Sequence, residues 1–299
     1  MLQTFDRRNR DLVVGINDRL VHRDEAGVSP FDSVVQGGDA VWEGLRLHRG
    51  RIFKLPQHLA RLRRSAQALA FASIPSDEEI TARLRAVLAA NSMTDDVHIR
   101  LTLTRGVKVT SGMDPRLNQS GATLIVLAEF KSPVYPDSGI SLVTSSVRRH
   151  RPDSLDPKIH HNNLLTSILA KIEANASGAD DALMLDDSGF VAETNATHVF
   201  HVKDDVVRTS TTRSCPEGIT RETILEICGA SAVPVEMDDF SLTQVYTADE
   251  VFVTGTMGGV TPVLTVDGRT IGAGRPGPCA TRLSAAYAAR TAAEGTLMV

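Results

Sequence analysis

The clearest alternation in the chain runs from Val97 to Thr104. Val97, Ile99, Leu101 and Leu103 share one face, and His98, Arg100, Thr102 and Thr104 share the other. That period of two predicts a half-buried strand. The continuous apolar run ATLIVLAEF (122–130) predicts a second strand suited to a sheet centre. Two helical patterns precede them. PQHLARLRRSAQALAF repeats apolar residues at Leu59, Leu62, Ala66 and Leu69. SDEEITARLRAVLAAN opens with Ser76 and Glu79, a capping box, and carries Ile80, Leu84, Val87 and Leu88 on one stripe.

KSPVYPDSG (131–139) gathers prolines, serines and a glycine between strand patterns and reads as a linker. The 299 residues exceed what one core usually needs. The expected fold is α/β (α+β) in two domains: a small α/β domain over 1–130, the linker 131–139, and a larger α/β domain over 140–299. In the second domain, strand ISLVTSSV leads to DPKIHHNNLL. Pro157 disfavours helix through Asp156, so Lys158 enters extended. A helix is expected to begin near Asn162 or Asn163, with Leu164, Leu165, Ile168, Leu169 and Ile172 facing inward. ALMLDDSGFVAETNATHVFHV predicts a hairpin turning at Asp187-Ser188-Gly189. GITRETILEICGA predicts a helix closed by Gly229, and DEVFVTGTMGGVTPV a strand entering a glycine-rich turn.

Composition narrows the classes of function. A net charge of -4 gives no electrostatic reason to expect nucleic acid or an anionic membrane as partner. The longest apolar runs are too short to span a bilayer, and MLQTFDRRNRDLVVG has no signal-peptide core. Cys215, Cys228 and Cys279 are an odd, widely spaced set that matches no zinc or disulfide framework, so a reducing cytoplasm is the expected home. His160 and His161 diverge on regular backbone, no metal is expected, and RRHRPDS reads as a short basic loop.

Three features favour anions. Arg61 lies in HLARLRRSA, where a solvated basic helix face is an equal reading. PEGITRETILE places Gly218 ahead of a helix start, with Thr220 a plausible cap; an ordinary capped helix reads as well. VTGTMGGV leaves backbone N–H groups bare at Gly255, Gly258 and Gly259, but is neither a P-loop nor GxGxxG. Counting by two from Phe190 and Ala192, Glu193 falls on the opposite face, as a solvent-facing glutamate would.

Read in order, HLxRLxxSA, an isolated lysine followed by asparagine and an apolar helix, VxExxxxxxF, GITRxxIL and FVTGTMGGVTPV resemble the class IV aminotransferases, the fold-type IV pyridoxal-phosphate enzymes. The resemblance covers roughly residues 15 to 290. It implies that Lys158 forms the Schiff base with pyridoxal 5'-phosphate, and that Glu193 faces the pyridine nitrogen. It implies that Arg61, Ile219, Thr220 and Thr256 hold the phosphate. Each role suits the chemistry: an amine condenses with an aldehyde, a carboxylate keeps the ring protonated, and a dianion needs an arginine fork and helix-start N–H groups.

The same resemblance implies a transaminase that passes an amino group from a small aliphatic or branched-chain amino acid to a 2-keto acid. Alternatives are a D-amino-acid or (R)-amine transaminase, and an aminodeoxychorismate-type lyase that releases pyruvate. Branched-chain relatives carry tyrosine where Asn163 stands and Tyr-x-Arg where His98-Ile99-Arg100 stands. The arginine typical of D-specific relatives is replaced by Thr110. Trp42 falls at a pocket aromatic and Met257 and Gly258 where backbone meets a substrate carboxylate, with Arg100, Lys108 or Arg46 as candidate replacements for the missing arginine. The family implies a homodimer.

Overall fold

In the computed structural model, residues 3–299 are described; the first two residues of the expected N-terminal domain lie outside them. The chain divides into two compact units. The N-terminal unit comprises residues 3–132, Ile159–Asn163 and Thr291–Val299, and the C-terminal unit comprises Pro133–Lys158 and Leu164–Arg290. The domain limits expected from pattern therefore differ at two segments. Residues 160–162 bond to a strand of the N-terminal unit, and the C-terminal strand Thr296–Leu297 pairs there as well. Among the described residues no helix is long and apolar enough to cross a membrane.

The N-terminal unit is built on an antiparallel sheet. Its strands are β1 (Val13–Ile16), β2 (Arg19–His22), β3 (Ala40–His48), β4 (Arg51–Ile52), β5 (Val97–Thr104) and β6 (Thr123–Phe130), with Thr296–Leu297 at one edge. Their spatial order is Thr296–Leu297, β4, β3, β5, β6, β1, β2. A short helix α1 (Ser33–Gly37) precedes β3. Helices α2 (Leu55–Ala68) and α3 (Asp77–Ala90) cover one face of the sheet. The inward residues of β5 are the alternating set Val97, Ile99, Leu101 and Leu103, each fully buried. They pack with Leu59, Leu62 and Ala66 of α2 and Ile80, Leu84, Val87 and Leu88 of α3. Each such large side chain contributes about 1.5–3 kcal/mol on burial. The Ser76–Glu79 capping box opens α3.

The C-terminal unit holds β7 (Ile140–Thr144), β8 (Asp181–Leu185), β9 (Val191–Thr194), β10 (His198–Lys203), β11 (Val206–Thr209), β12 (Val235–Met237), β13 (Glu250–Gly255), β14 (Gly259–Val266) and β15 (Arg269–Thr270). The order is β12, β11, β10, β13, β14, β7, β8, β9, with β15 paired to β14. β14–β7, β7–β8 and β11–β12 run parallel, the other pairs antiparallel. The end strand β9 meets the segment just past β11, where the Ser210 hydroxyl donates to the Ala192 carbonyl at 2.6 Å. Helices α4 (Pro152–Leu155), α5 (Leu165–Ala176), α6 (Ile219–Ala230), α7 (Leu242–Tyr246) and α8 (Pro278–Ala293) complete the unit.

Three local expectations are corrected. First, α5 starts at Leu165 without a side-chain cap. Asn162 is spent on Arg100, and Asn163 donates to the Gly38 carbonyl at 3.1 Å. Second, α5 faces inward through Ala170 and Ala174, which lie against Ala182 and Met184 of β8. Small residues four apart let the helix approach the sheet closely, and this turns Leu165, Ile168, Leu169 and Ile172 outward, each at least half exposed. Third, α6 is capped by Gly218 rather than Thr220, and it runs past Gly229 to Ala230. The left-handed residue beyond its end is Ala232.

Candidate functional site

In the C-terminal unit, Glu193 stands on β9 opposite Met184 of β8. Both faces of β9 are covered, so all four of its residues are buried and period two does not send Glu193 to water. Glu193 is 4 % exposed, and Arg149 Nη2 lies 2.6 Å from its Oε1. Arg149 comes from the RRHRPDS stretch, which pattern reading took for a short basic loop. Its backbone N–H donates to Leu185 O at 2.9 Å, at the end of β8. A carboxylate this deep costs several kcal/mol unless a cation meets it.

The same strand connects to the start of α6. Ser210 donates to Ala192, the neighbour of Glu193, and Ser210's own carbonyl accepts from Arg221 Nη2 at 2.8 Å. At the head of α6, Gly218 offers no capping side chain, and the first intrahelical bond is Glu222 N–H to Gly218 O at 2.9 Å. The N–H groups of Ile219, Thr220 and Arg221 thus have no partner within the helix. Only glycine fits at 218, since a Cβ would lie 2.2 Å from the His198 ring. His198 pairs with Thr254 of β13. Just beyond, the Gly255–Gly259 pair closes the β13–β14 hairpin and leaves Thr256, Met257 and Gly258 half-buried in its turn. Tyr135 lies against Gly258. Cys215 is buried beside this cluster. Burial, and then the charge of Glu193, push its thiol up to about 12, so it is no nucleophile at neutral pH.

In the N-terminal unit, Arg61 on α2 donates through Nε and Nη2 to both oxygens of Glu43 on β3, at 2.8 and 2.7 Å. His58 Nδ1 meets the same carboxylate at 2.7 Å. Glu43 is fully buried. Burial alone would raise its carboxyl, but the Arg61 guanidinium and His160 override that and hold it well below the usual carboxylate range. On the other face of the sheet, Arg100 on β5 lies over the Trp42 ring at 3.5 Å and donates to Asn162 Oδ1 at 2.6 Å. Burial lowers Arg100 to about 10, which leaves it cationic at neutral pH.

Lys158 follows Pro157 in a turn, and its side chain is exposed. Its backbone N–H donates to Asp156 at 2.9 Å. It is the last residue of the C-terminal unit before the chain enters Ile159–Asn163 of the other. Glu193, Ile219, Thr220, Thr256, Met257 and Gly258 therefore belong to one unit, and Trp42, Arg61 and Arg100 to the other. Pattern reading missed Arg149, Glu43, His58 and Tyr135. Glu43 had a signal: it occupies the inward register of β3 between Val41 and Leu45, where alternation calls for an apolar side chain. Arg149 had none, because its partner lies 44 residues along the chain (193 − 149).

Similarity to known proteins bears on this arrangement. Residues 40–266 match the family described as amino-transferase class IV. The branched-chain-amino-acid aminotransferase-like protein 2 of Arabidopsis thaliana is 54 % identical over 96 % of this chain and 52 % of its own length. A putative branched-chain-amino-acid aminotransferase of Methanocaldococcus jannaschii is 38 % identical over 86 % of this chain and 88 % of its own. The chain thus spans about half the length of the Arabidopsis relatives it matches. A branched-chain amino acid aminotransferase from Thermobaculum terrenum, solved in its PLP form, superposes with a TM-score of 0.84 at 26 % identity, covering 95 % and 94 % of the two chains. Together with the buried carboxylate and the uncapped helix start, the extent of these matches establishes that the chain belongs to the class IV amino-transferase family.

Proposed function

We propose that the protein is a pyridoxal-phosphate-dependent transaminase that moves an amino group between a small aliphatic or branched-chain amino acid and a 2-keto acid. The observation that carries this is the Glu193–Arg149 pair, with Glu193 buried on β9 and joined through Ala192, Ser210 and Arg221 to the side-chain-free start of α6. A phosphorylated pyridine aldehyde fits that set: a carboxylate for its ring nitrogen, N–H groups for its phosphate, and an amine for its aldehyde. When bound, the cofactor supplies an electron sink for the bond broken at the substrate Cα.

The protein's own groups do the rest. Lys158 would hold the aldehyde through Nζ, and the same amine would move the proton at the substrate Cα. Glu193, paired with Arg149, would hold a proton at the ring nitrogen. Within the C-terminal unit, Ile219, Thr220 and Thr256 would hold the phosphate; Arg61, proposed for the same anion, is gripped by Glu43 within the N-terminal unit. Within the C-terminal unit the Met257 and Gly258 backbone would meet a substrate carboxylate; within the N-terminal unit Arg100, lying over Trp42, is the cation proposed for the same role.

We further propose a homodimer. The exposed stripe of Leu165, Ile168, Leu169 and Ile172 on α5 fits a second copy of the same face, an isologous contact.

The test is turnover of L-leucine, L-isoleucine and L-valine with a 2-keto acid acceptor. Acceptor-dependent transfer, abolished in Lys158→Ala, is expected. Release of pyruvate without an acceptor would point to lyase chemistry, and a preference for D-amino acids or (R)-amines would overturn the substrate reading.

A further inference from the structure

His160 stands two residues past Lys158, and both its backbone and its ring are held. Its N–H donates to Ser65 Oγ on α2 at 3.0 Å, and its carbonyl accepts from Trp42 N–H on β3 at 3.0 Å. Its ring stacks on Trp42, with centroids 4.3 Å apart and planes inclined by 24°. Nδ1 lies 2.5 Å from Trp42 O and 3.5 Å from Glu43 Oε1. Both neighbours are acceptors, so Nδ1 carries the proton. Burial, then the Arg61 charge, lower the imidazole pKa, consistent with a neutral ring. The next residues continue the clamp: Trp42 Nε1–H donates to His161 O at 3.0 Å, and Asn162 N–H to Ala40 O at 2.8 Å. Glu43, at the centre, also grips Arg61 and His58.

Two peptide units span at most about 7 Å, so clamping His160 confines the Lys158 backbone to that radius. The backbone bond of Lys158 itself is local, to Asp156 two residues back. We propose that His160 is a positioning residue for Lys158: its clamp on Trp42, Ser65 and Glu43 fixes the backbone two residues past the lysine and so limits where the amine is presented. This rests on the reading of Lys158 as the cofactor lysine.

The experiment uses apo protein. His160→Phe keeps a ring to stack on Trp42 and deletes the Nδ1–H donor. Two quantities are measured. One is the rate at which pyridoxal 5'-phosphate joins Lys158, amine plus aldehyde giving an imine and one water, trapped with borohydride and located by mass spectrometry. The other is the Kd for pyridoxamine 5'-phosphate, which bears an amine in place of the aldehyde and cannot bond to lysine. The expected result is an adduct rate at least tenfold lower, with a pyridoxamine phosphate Kd within twofold of wild type. His160→Asn, whose amide can donate to Trp42 O, should recover most of the rate. Ser65→Ala should give the same split at smaller size, and it keeps the test open if His160→Phe does not fold. An unchanged adduct rate overturns the proposal. So does a parallel loss of adduct rate, pyridoxamine phosphate affinity and melting temperature, which is what a merely structural histidine would give. If wild type forms no adduct at Lys158, the reading of that lysine fails instead.

Discussion

Glu43 and Glu193 are interior carboxylates, and each is met there by an arginine: Arg61 at 2.7 Å and Arg149 at 2.6 Å. Removing one partner of such a pair strands a charge, whereas removing both does not. Arg149→Met is therefore expected to destabilise the protein by about 3–5 kcal/mol, and adding Glu193→Gln should restore a large part of that. Urea unfolding of the two single variants and the double variant measures the coupling. A different penalty sits at His201 on β10, which is 1 % exposed, packed against Phe240, with neither ring nitrogen hydrogen-bonded. Burial, then Arg208, lower its pKa from 6.5 to about 4. The unfolded chain takes up a proton below 6.5 and the folded chain does not until about 4, so the folded state keeps full stability above 6.5 and loses it as pH falls through that window. The loss is on the order of 3 kcal/mol. His201→Leu should raise the melting temperature at pH 5 more than at pH 7.5; equal shifts at both would contradict the assignment. Neither arginine partner was visible from composition, since the chain carries 32 lysines and arginines and gives no sign of which are buried.

At the scale of elements, periodicity found β5, α2 and α3 and their inward faces, because each packs against neighbours of ordinary size. It misjudged α5. The bulky stripe on α5 suggests an inward face, yet Ala170 and Ala174 are what fit against β8. Hydrophobic patterning says that a stripe is to be covered, not by which surface. Covered by a second copy, the stripe predicts that Ile168→Glu combined with Leu169→Glu shifts the protein to monomer in sedimentation equilibrium, with its secondary structure kept. A dimer that survives both changes would place the contact elsewhere. The same limit applies to β9. Alternation assigns Glu193 a face, but not whether that face meets water, and β9, met by Ser210 at Ala192, is buried at all four of its residues.

At the scale of the whole molecule, the chain does not divide once. Its last residues return to the N-terminal unit: Thr296 pairs with Ile52, Arg85 donates to Met298 O at 3.0 Å, and the Met298 side chain joins that unit's core at 3 % exposure. Met298→Ala should cost about 2–4 kcal/mol in urea unfolding, a core-sized loss from the second residue from the C-terminus. A cost below about 0.5 kcal/mol would make the strand an incidental edge. The sequence by itself determined what is local or ordered along the chain: the strand and helix periods, the capping box, the lysine after proline, and the succession of motifs that identifies the family. These depend on neighbours within a few residues, or on order alone. Only the tertiary structure decided which charges are buried, which face of α5 is covered, and that Ile159–Asn163 and Thr291–Val299 belong with the N-terminal unit. Those outcomes depend on residues far apart in sequence meeting in space, and no local period encodes such a meeting.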